Sequence, residues 1–258
     1  MSAKAVARRW VSCLVVVVGV SIGMLAQAQA PAEAVGLSTL ADGSELVARL
    51  KAIRPEIPVE AVFPTPLEGV YAMELTGGTI LYGTADGRYL FVGDLYALND
   101  DDLVNLTEDW RTTKRRALIE AVALEDLVVF PAAGMRKAVV HVFTDVDCSF
   151  CRKLHLEMAD MNALGIEVRY LGYPRAGIGS HSYQKIVSAW CSDNRNLAIT
   201  ELKLGNSIPD RTCENPIADH YELGGRVGVT GTPAIVTEDG RLLPGYMAAS
   251  DLAAAVGI

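Results

Sequence analysis

Two cysteines stand three positions apart in Asp147-Cys148-Ser149-Phe150-Cys151, directly after the apolar run Ala138-Val139-Val140-His141-Val142-Phe143. Thiols at this spacing serve as a redox pair, as half of a metal site, or as inert core packing. A strand that ends just before Cys148 and a helix that begins there set the first thiol among free backbone N–H groups. The helix dipole at that end also favours an anion, so a thiolate is stabilised. An ordinary cysteine, with a pKa of about 8.5, is only a few per cent ionised near neutrality. Lowering that pKa makes Cys148 a readier nucleophile and a better leaving group. Cys151 lies one turn further in on the same face, where it can attack a mixed disulfide held at Cys148. The pair therefore reads as nucleophile and resolving thiol.

A zinc site needs four ligands, usually as two close pairs. Cys191 and Cys213 are too far apart to form the second pair, and they bracket the polar, loop-rich stretches "SDNRN" and "NSIPDRT". No metal and no other cofactor is expected. A bridge between Cys191 and Cys213 would constrain the unfolded chain by roughly 3 kcal/mol on a loop-entropy estimate. Its role would be structural, the alternative being a second redox relay. Further on, Gly231-Thr232-Pro233 precedes an apolar run, and a proline is tolerated where a strand opens.

The remaining cysteine, Cys13, sits in an N-terminal segment with the order of a secretory signal peptide: Lys4, Arg8 and Arg9, an apolar run from Trp10 to Ala26, then Ala26-Gln27-Ala28. Cleavage after Ala28 is favoured over Ala30, because Pro31 would follow the later cut. Removing residues 1–28 takes away three basic residues and no acidic one, so the net charge moves from -8 to -11. Such an acidic chain has no evident surface for phosphates, and nucleic acid is excluded as a partner. The four cysteines that remain allow three pairings, and the exported compartment favours redox chemistry over metal storage.

These residues need elements to hold them. A short amphipathic helix is expected over Ser44–Ala52, with Leu46, Val47 and Leu50 at helical spacing, followed by a Pro-rich irregular passage through Pro55, Pro58, Pro64 and Pro66. The runs "GVYAMEL", "TILYG" and "RYLFVG" read as an antiparallel meander whose apolar face needs cover from the helix or from another subunit. A helix near 107–125 follows, with acidic residues early, Lys114-Arg115-Arg116 late, and a stripe of Leu106, Trp110, Ala117 or Leu118, and Ala121 or Val122. From Ala138 strands and helices alternate: strand 139–144, helix 148–164, strand 166–173, helices 182–190 and 217–227, strands 234–237 and 242–246, and a final helix after Ser250. That is an α/β layered domain, with the helix near 107–125 as connector between two domains.

The segments "VFTDVDCSFCRKLH", "NALGIEVRYLGYPR", "AWC", "IADHYELG", "GVTGTPAIV" and "LLPGY", with "GTILYGTADGRYLFVGDLY" in the first half, resemble the DsbC/DsbG-type thiol:disulfide interchange proteins, the DsbC branch being nearer. The resemblance implies a thioredoxin-like catalytic domain (131–258) preceded by a small cystatin-like α+β dimerisation domain (29–97) and a linker-helix region (98–130). It implies that Cys148 and Cys151 are the redox pair, that Thr232-Pro233 is a cis bond whose backbone meets a substrate strand, and that Cys191 and Cys213 form a structural disulfide. It further implies a periplasmic homodimeric isomerase that rearranges wrong disulfides in misfolded or unfolded exported proteins, kept reduced by a membrane thiol reductant of the DsbD type. The alternatives are a DsbG-like reductase guarding single cysteines from sulfenylation, or a holdase chaperone. Two residues depart from the pattern. Ser149-Phe150 replaces the family's Gly-Tyr or Pro-Tyr dipeptide, and Asp147 sets a carboxylate beside Cys148, where a negative charge opposes ionisation unless it points into solvent. His155, two turns into the helix, is expected to pack or lie on the surface.

Overall fold

The structure is a computed structural model describing residues 42–258. The signal peptide expected over residues 1–28 lies outside the described residues. Among those described, no helix is long and apolar enough to cross a membrane.

Helix α1 (Ser44–Ile53) has the amphipathic pattern expected of it, burying Leu46 and Leu50 against Met73. It lies on an antiparallel sheet of order β1-β2-β3-β4, made of β1 (Val59–Pro64), β2 (Val70–Leu75), β3 (Ile80–Thr84) and β4 (Leu90–Val92). The last three strands are the expected meander. The Pro-rich passage, read as irregular, instead carries β1. Its Val59-Glu60-Ala61-Val62-Phe63 core is β-branched and aromatic, and an outer strand tolerates both Pro64 at its end and the register shift between Val59 and Ala61. The sheet is apolar on both faces: Met73 packs toward α1, while Ala72, Ile80 and Tyr82 pack with Phe63, Val70 and Leu95. Among the described residues its β4 edge is bare, with Tyr89, Leu90, Phe91 and Val92 all exposed. A hairpin unforeseen in the sequence follows, β5 (Tyr96–Leu98) and β6 (Leu103–Asn105), with Leu98 and Leu103 also exposed.

Helix α2 (Leu106–Glu120) begins at Asn105, whose side chain accepts the Glu108 N–H at 2.9 Å. Its buried residues are Thr107, Arg115 and Ile119, not the stripe expected from spacing. The reason is that the helix serves two bodies. Toward its start, Thr107 shares a hydroxyl hydrogen bond with Tyr82, Trp110 stacks on Phe63 with ring centroids 3.9 Å apart, and Lys114 bridges Glu60 and Glu74. Toward its end, Arg115 donates to the Val227 carbonyl at 2.8 Å and Ile119 joins a cluster with Phe143, Leu171 and Val236. Gly240, at φ +91, presses on this helix so closely that a Cβ there would stand 2.1 Å from the Thr112 carbonyl.

The second sheet has five strands in the order β11-β10-β8-β9-β7. They are β7 (Val128–Phe130), β8 (Ala138–Thr144), β9 (Ile166–Gly172), β10 (Ala234–Thr237) and β11 (Leu242–Pro244). Only β8 and β9 run parallel. Every residue of β8 is buried, as its continuous apolar run requires of a strand covered on both faces. One face packs Val140, Val142, Val168 and Tyr170 against the helices, and the other packs Phe143, Leu171 and Val236. The mixture of an α+β sheet domain and an α/β layered domain is the expected fold class.

Three local readings are corrected. The helix expected over 148–164 is two helices, α3 (Ser149–Leu156) and α4 (Met158–Leu164), broken at Glu157, whose carboxylate accepts the Ala249 N–H at 2.8 Å and the Tyr246 hydroxyl. Strand β7 was not anticipated; it lies just before residue 131 and pairs antiparallel with β9. The polar stretch between Cys191 and Cys213, read as loop-rich, holds a ten-residue helix, α6 (Arg195–Leu204), capped by the Asn194 side chain and ended by Gly205. The other helices are α5 (His181–Trp190), α7 (Ile217–Val227) and α8 (Ala249–Ala255).

Candidate active site

Strand β8 delivers the chain to a turn at Asp145-Val146-Asp147, and Cys148 is the N-cap of α3. Its backbone is extended (φ -85, ψ 121) and its sulfur accepts the Cys151 N–H at 3.3 Å, the contact that a helix start offers an anion. Cys148 and Cys151 are both free thiols and both buried. Across the site, the Thr232-Pro233 bond is cis, and the Cys148 thiol donates to the Thr232 carbonyl at 3.2 Å. The Thr232 hydroxyl is buried and has no partner in this dithiol state. It is therefore free to donate when a neighbouring sulfur ionises.

Burial opposes ionisation of Cys148, but once the sulfur is charged the Thr232 hydroxyl and the Cys151 N–H can both donate to it, and with the charge of Arg175 they hold its pKa below that of an ordinary thiol. For Cys151 burial wins and pushes the pKa up, against the opposing charge of Lys203. The two sulfurs thus differ in the sense that a nucleophile and a resolving thiol need. Asp147 does not spoil this arrangement, because its carboxylate meets Lys185 Nζ at 2.8 Å and Arg152 at 3.5 Å. His155 is buried, with one ring nitrogen 3.1 Å from the Tyr170 hydroxyl and the other 3.1 Å from the Thr200 hydroxyl. Burial drives its pKa down to about 4, so it stays neutral. Phe150 projects from the site, 59% exposed.

Cys191 and Cys213 are joined in a disulfide. It ties the end of α5 to the segment before α7. One residue at the site escaped the sequence reading: Lys203, buried beneath the CxxC turn. The signal was its phase, since Ala198, Ile199 and Leu202 form the buried face of α6 and Lys203 continues it. Among the described residues no cluster of His, Cys, Asp or Glu could hold a metal ion.

A thiol pair at a helix start, facing a cis-proline loop across a mixed sheet, is equipment for dithiol–disulfide exchange. Two family models match the chain: a thioredoxin-like domain over residues 125–257 and the disulfide bond isomerase protein N-terminal domain over residues 26–108. The thiol:disulfide interchange protein DsbC of Escherichia coli strain K12 is 40% identical over 183 residues, covering 71% of this chain and 75% of that protein. DsbC of Salmonella typhimurium is 38% identical over 190 residues, covering 74% and 77%. A solved disulfide interchange protein from Neisseria gonorrhoeae shares 30% identity over 52% of this chain and 96% of its own, with a TM-score of 0.47. The chain belongs to the DsbC-type thiol:disulfide interchange proteins.

Proposed function

We propose that the chain rearranges wrong disulfides in exported proteins, with Cys148 as nucleophile and Cys151 as resolving thiol. The observation that carries this is Cys148 Sγ, held at the start of α3 against the Thr232 carbonyl with its pKa lowered. The Cys148 thiolate attacks one sulfur of a client disulfide, forming a Cys148–client bond and expelling the other client sulfur as a thiolate. That thiolate or another in the client then attacks the mixed disulfide and restores Cys148, which is isomerisation without net redox change. Alternatively Cys151 attacks Cys148, leaving the client reduced and the Cys148–Cys151 pair oxidised. Return to the working state then needs an external dithiol, a role suited to a membrane reductant of the DsbD type.

The backbone at Thr232-Pro233 lies beside the sulfur and receives the client strand, while the Cys191–Cys213 bridge is structural. Residues 29–97 form a dimerisation domain joined through a linker-helix region to the catalytic domain, which takes in β7 and so begins a few residues before 131. The periplasm is the site of action, on the strength of the N-terminal segment and of the family. The exposed apolar side chains of β4 and Phe150 favour one additional reading, that the same dimer holds unfolded chains without chemistry.

The test is refolding of scrambled ribonuclease. Cys148→Ala brings reactivation down to the uncatalysed rate, and Cys151→Ala accumulates mixed disulfides with the client. Reactivation at the unmodified rate by Cys148→Ala would sink the assignment.

A further inference from the structure

Lys203 is buried at 3% exposure on α6, directly under the active-site turn. Its Nζ donates to the Thr144 hydroxyl at 2.5 Å and to the Asp145 carbonyl at 2.9 Å. The same carbonyl accepts the Cys148 N–H at 3.3 Å, so a single oxygen separates the ammonium from the backbone of the nucleophile. Among the described residues no carboxylate lies within ion-pair distance of Nζ. The Asp145 carboxylate is turned to Arg175, accepting its N–H at 2.8 Å with Nε at 3.5 Å. The Tyr170 ring, 5.6 Å from Nζ to its centroid, gives the cation a weak electrostatic partner. A buried ammonium that the Asp145 carboxylate steadies only from beyond ion-pair distance is costly to keep. Its position is therefore better explained by an anion that forms nearby than by the resting fold.

The ionisable groups around Nζ are Cys148 and Cys151, Asp145, Arg152, His155 and Tyr170. His155 is neutral, Arg152 acts against the ammonium, and Tyr170, being fully buried, does not ionise. The Asp145 carboxylate is already engaged. The sulfurs are the groups left to acquire a charge during turnover.

We propose that the Lys203 ammonium is the counter-ion of the thiolate formed at Cys151 when that residue resolves a mixed disulfide, and so sets how fast a client is released. The proposal rests on Cys148 being the nucleophile. In the step, the Cys151 thiol gives up its proton and its sulfur attacks Cys148 Sγ. The Cys148–Cys151 bond forms, the Cys148–client bond breaks, and the departing client sulfur ends with the proton. Lys203 keeps its own proton and acts through Cys151, as a positioning residue. Burial draws the Lys203 pKa down to about 8 while the sulfurs and Asp145 push it back, leaving the ammonium as the main form at neutral pH.

Reduced protein mixed with Ellman's reagent releases one thionitrobenzoate when Cys148 attacks and a second when Cys151 resolves. Lys203→Met should slow the second release about tenfold at pH 7 and raise its pH midpoint by about one unit, while the first changes by less than about threefold. Lys203→Gln keeps a donor toward Thr144 and Asp145 without the charge, and should behave like Lys203→Met. A second-phase midpoint unmoved in both variants overturns the proposal, as does a Lys203→Gln variant that matches the unmodified protein. A change in folding stability alone, read by thermal unfolding, counts on that same side, because it leaves the midpoint in place. Loss of a distinct first release in the unmodified protein would instead remove Cys148 as nucleophile and the proposal with it.

Discussion

Val140 on β8 and Val92 on β4 are the same residue in strands of one chain, yet the first is fully buried and the second is 75% exposed. Around Val140 a five-stranded sheet is closed on both faces by its own helices. Around Val92 the four-stranded sheet ends in a row of exposed apolar side chains, and the separate β5–β6 hairpin adds exposed Leu98 and Leu103. One body is complete within the chain and carries the sulfurs. The other leaves an apolar edge open, and such edges in native proteins are covered by something. The lesson is a division of labour: the second sheet supplies a rigid site, and the first supplies an apolar surface that the rest of the described residues leave open.

The largest effect that tests this contrast comes from acid. All four histidines lie in the second half, and three of them, His141, His155 and His220, are buried with pKa values pushed down to about 4, burial being the first cause in each. Since the folded pKa lies below the unfolded one, the unfolded chain binds protons that the folded chain refuses. Stability present above about pH 6.5 is therefore lost as the pH falls toward 4. Between pH 6.5 and 5 the loss should be on the order of 5 kcal/mol for the three together. Hydrogen exchange followed separately in β2 and β8 should show it in β8 alone. Equal weakening of both sheets would abolish the distinction.

Next in size, Trp190→Ala opens a cavity among the largest buried side chains and removes the indole N–H donated to Asp126 O at 2.7 Å. It should cost about 3–5 kcal/mol in urea denaturation of the catalytic domain and leave exchange in β2 and β3 unchanged. A smaller loss, or one shared by both sheets, counts against separate cores. Third, charging the open edge with Phe91→Glu and Val92→Glu should weaken self-association at least about a hundredfold, roughly 2.7 kcal/mol, by sedimentation. The reaction of Cys148 with Ellman's reagent should be unaffected. Association that survives both substitutions means that β4 is not the covered edge. The smallest effect belongs to Asn105→Ala, which removes the cap of α2 and should cost about 1 kcal/mol in thermal unfolding. An unchanged melting temperature would show that the neighbouring contacts, and not the cap, hold that end.

The sequence made the second body more legible than the first, for physical reasons. A run such as Ala138–Thr144 admits few readings, and the Gly, Pro and Asp around it mark its ends. The sulfur pair pointed to redox chemistry through its place between strand and helix, its spacing alone leaving a metal site open. Elements whose stability comes from tertiary contacts were harder to see. Helix α6 hides because Asn194, Arg195, Asn196, Glu201 and Lys203 make it polar overall, although Ala198, Ile199 and Leu202 bury one face. Strand β1 hides between prolines, which an outer strand accepts. The faces of α2 could not be read from one periodicity, since two bodies claim different sides of it. Lys203 was missed because a lysine in a polar stretch reads as solvated, and only the phase of its helix argues otherwise.

Helix α2 also behaves as a gear. Trp110 and Lys114 engage the first sheet, while Thr112 against Gly240, Arg115 on Val227 and Ile119 engage the second. The two sets interleave along the helix, so, with successive residues turning by about 100°, one residue inserted between Lys114 and Arg115 would swing the Arg115 and Ile119 contacts about the helix axis by that angle and out of phase with Thr112. Seven would bring the faces nearly back into line and move the bodies about 10 Å further apart. The spacing between the sulfurs and the open edge is therefore adjustable in steps, not continuously, and descendants of this chain that lengthen the helix should do so in near-whole turns.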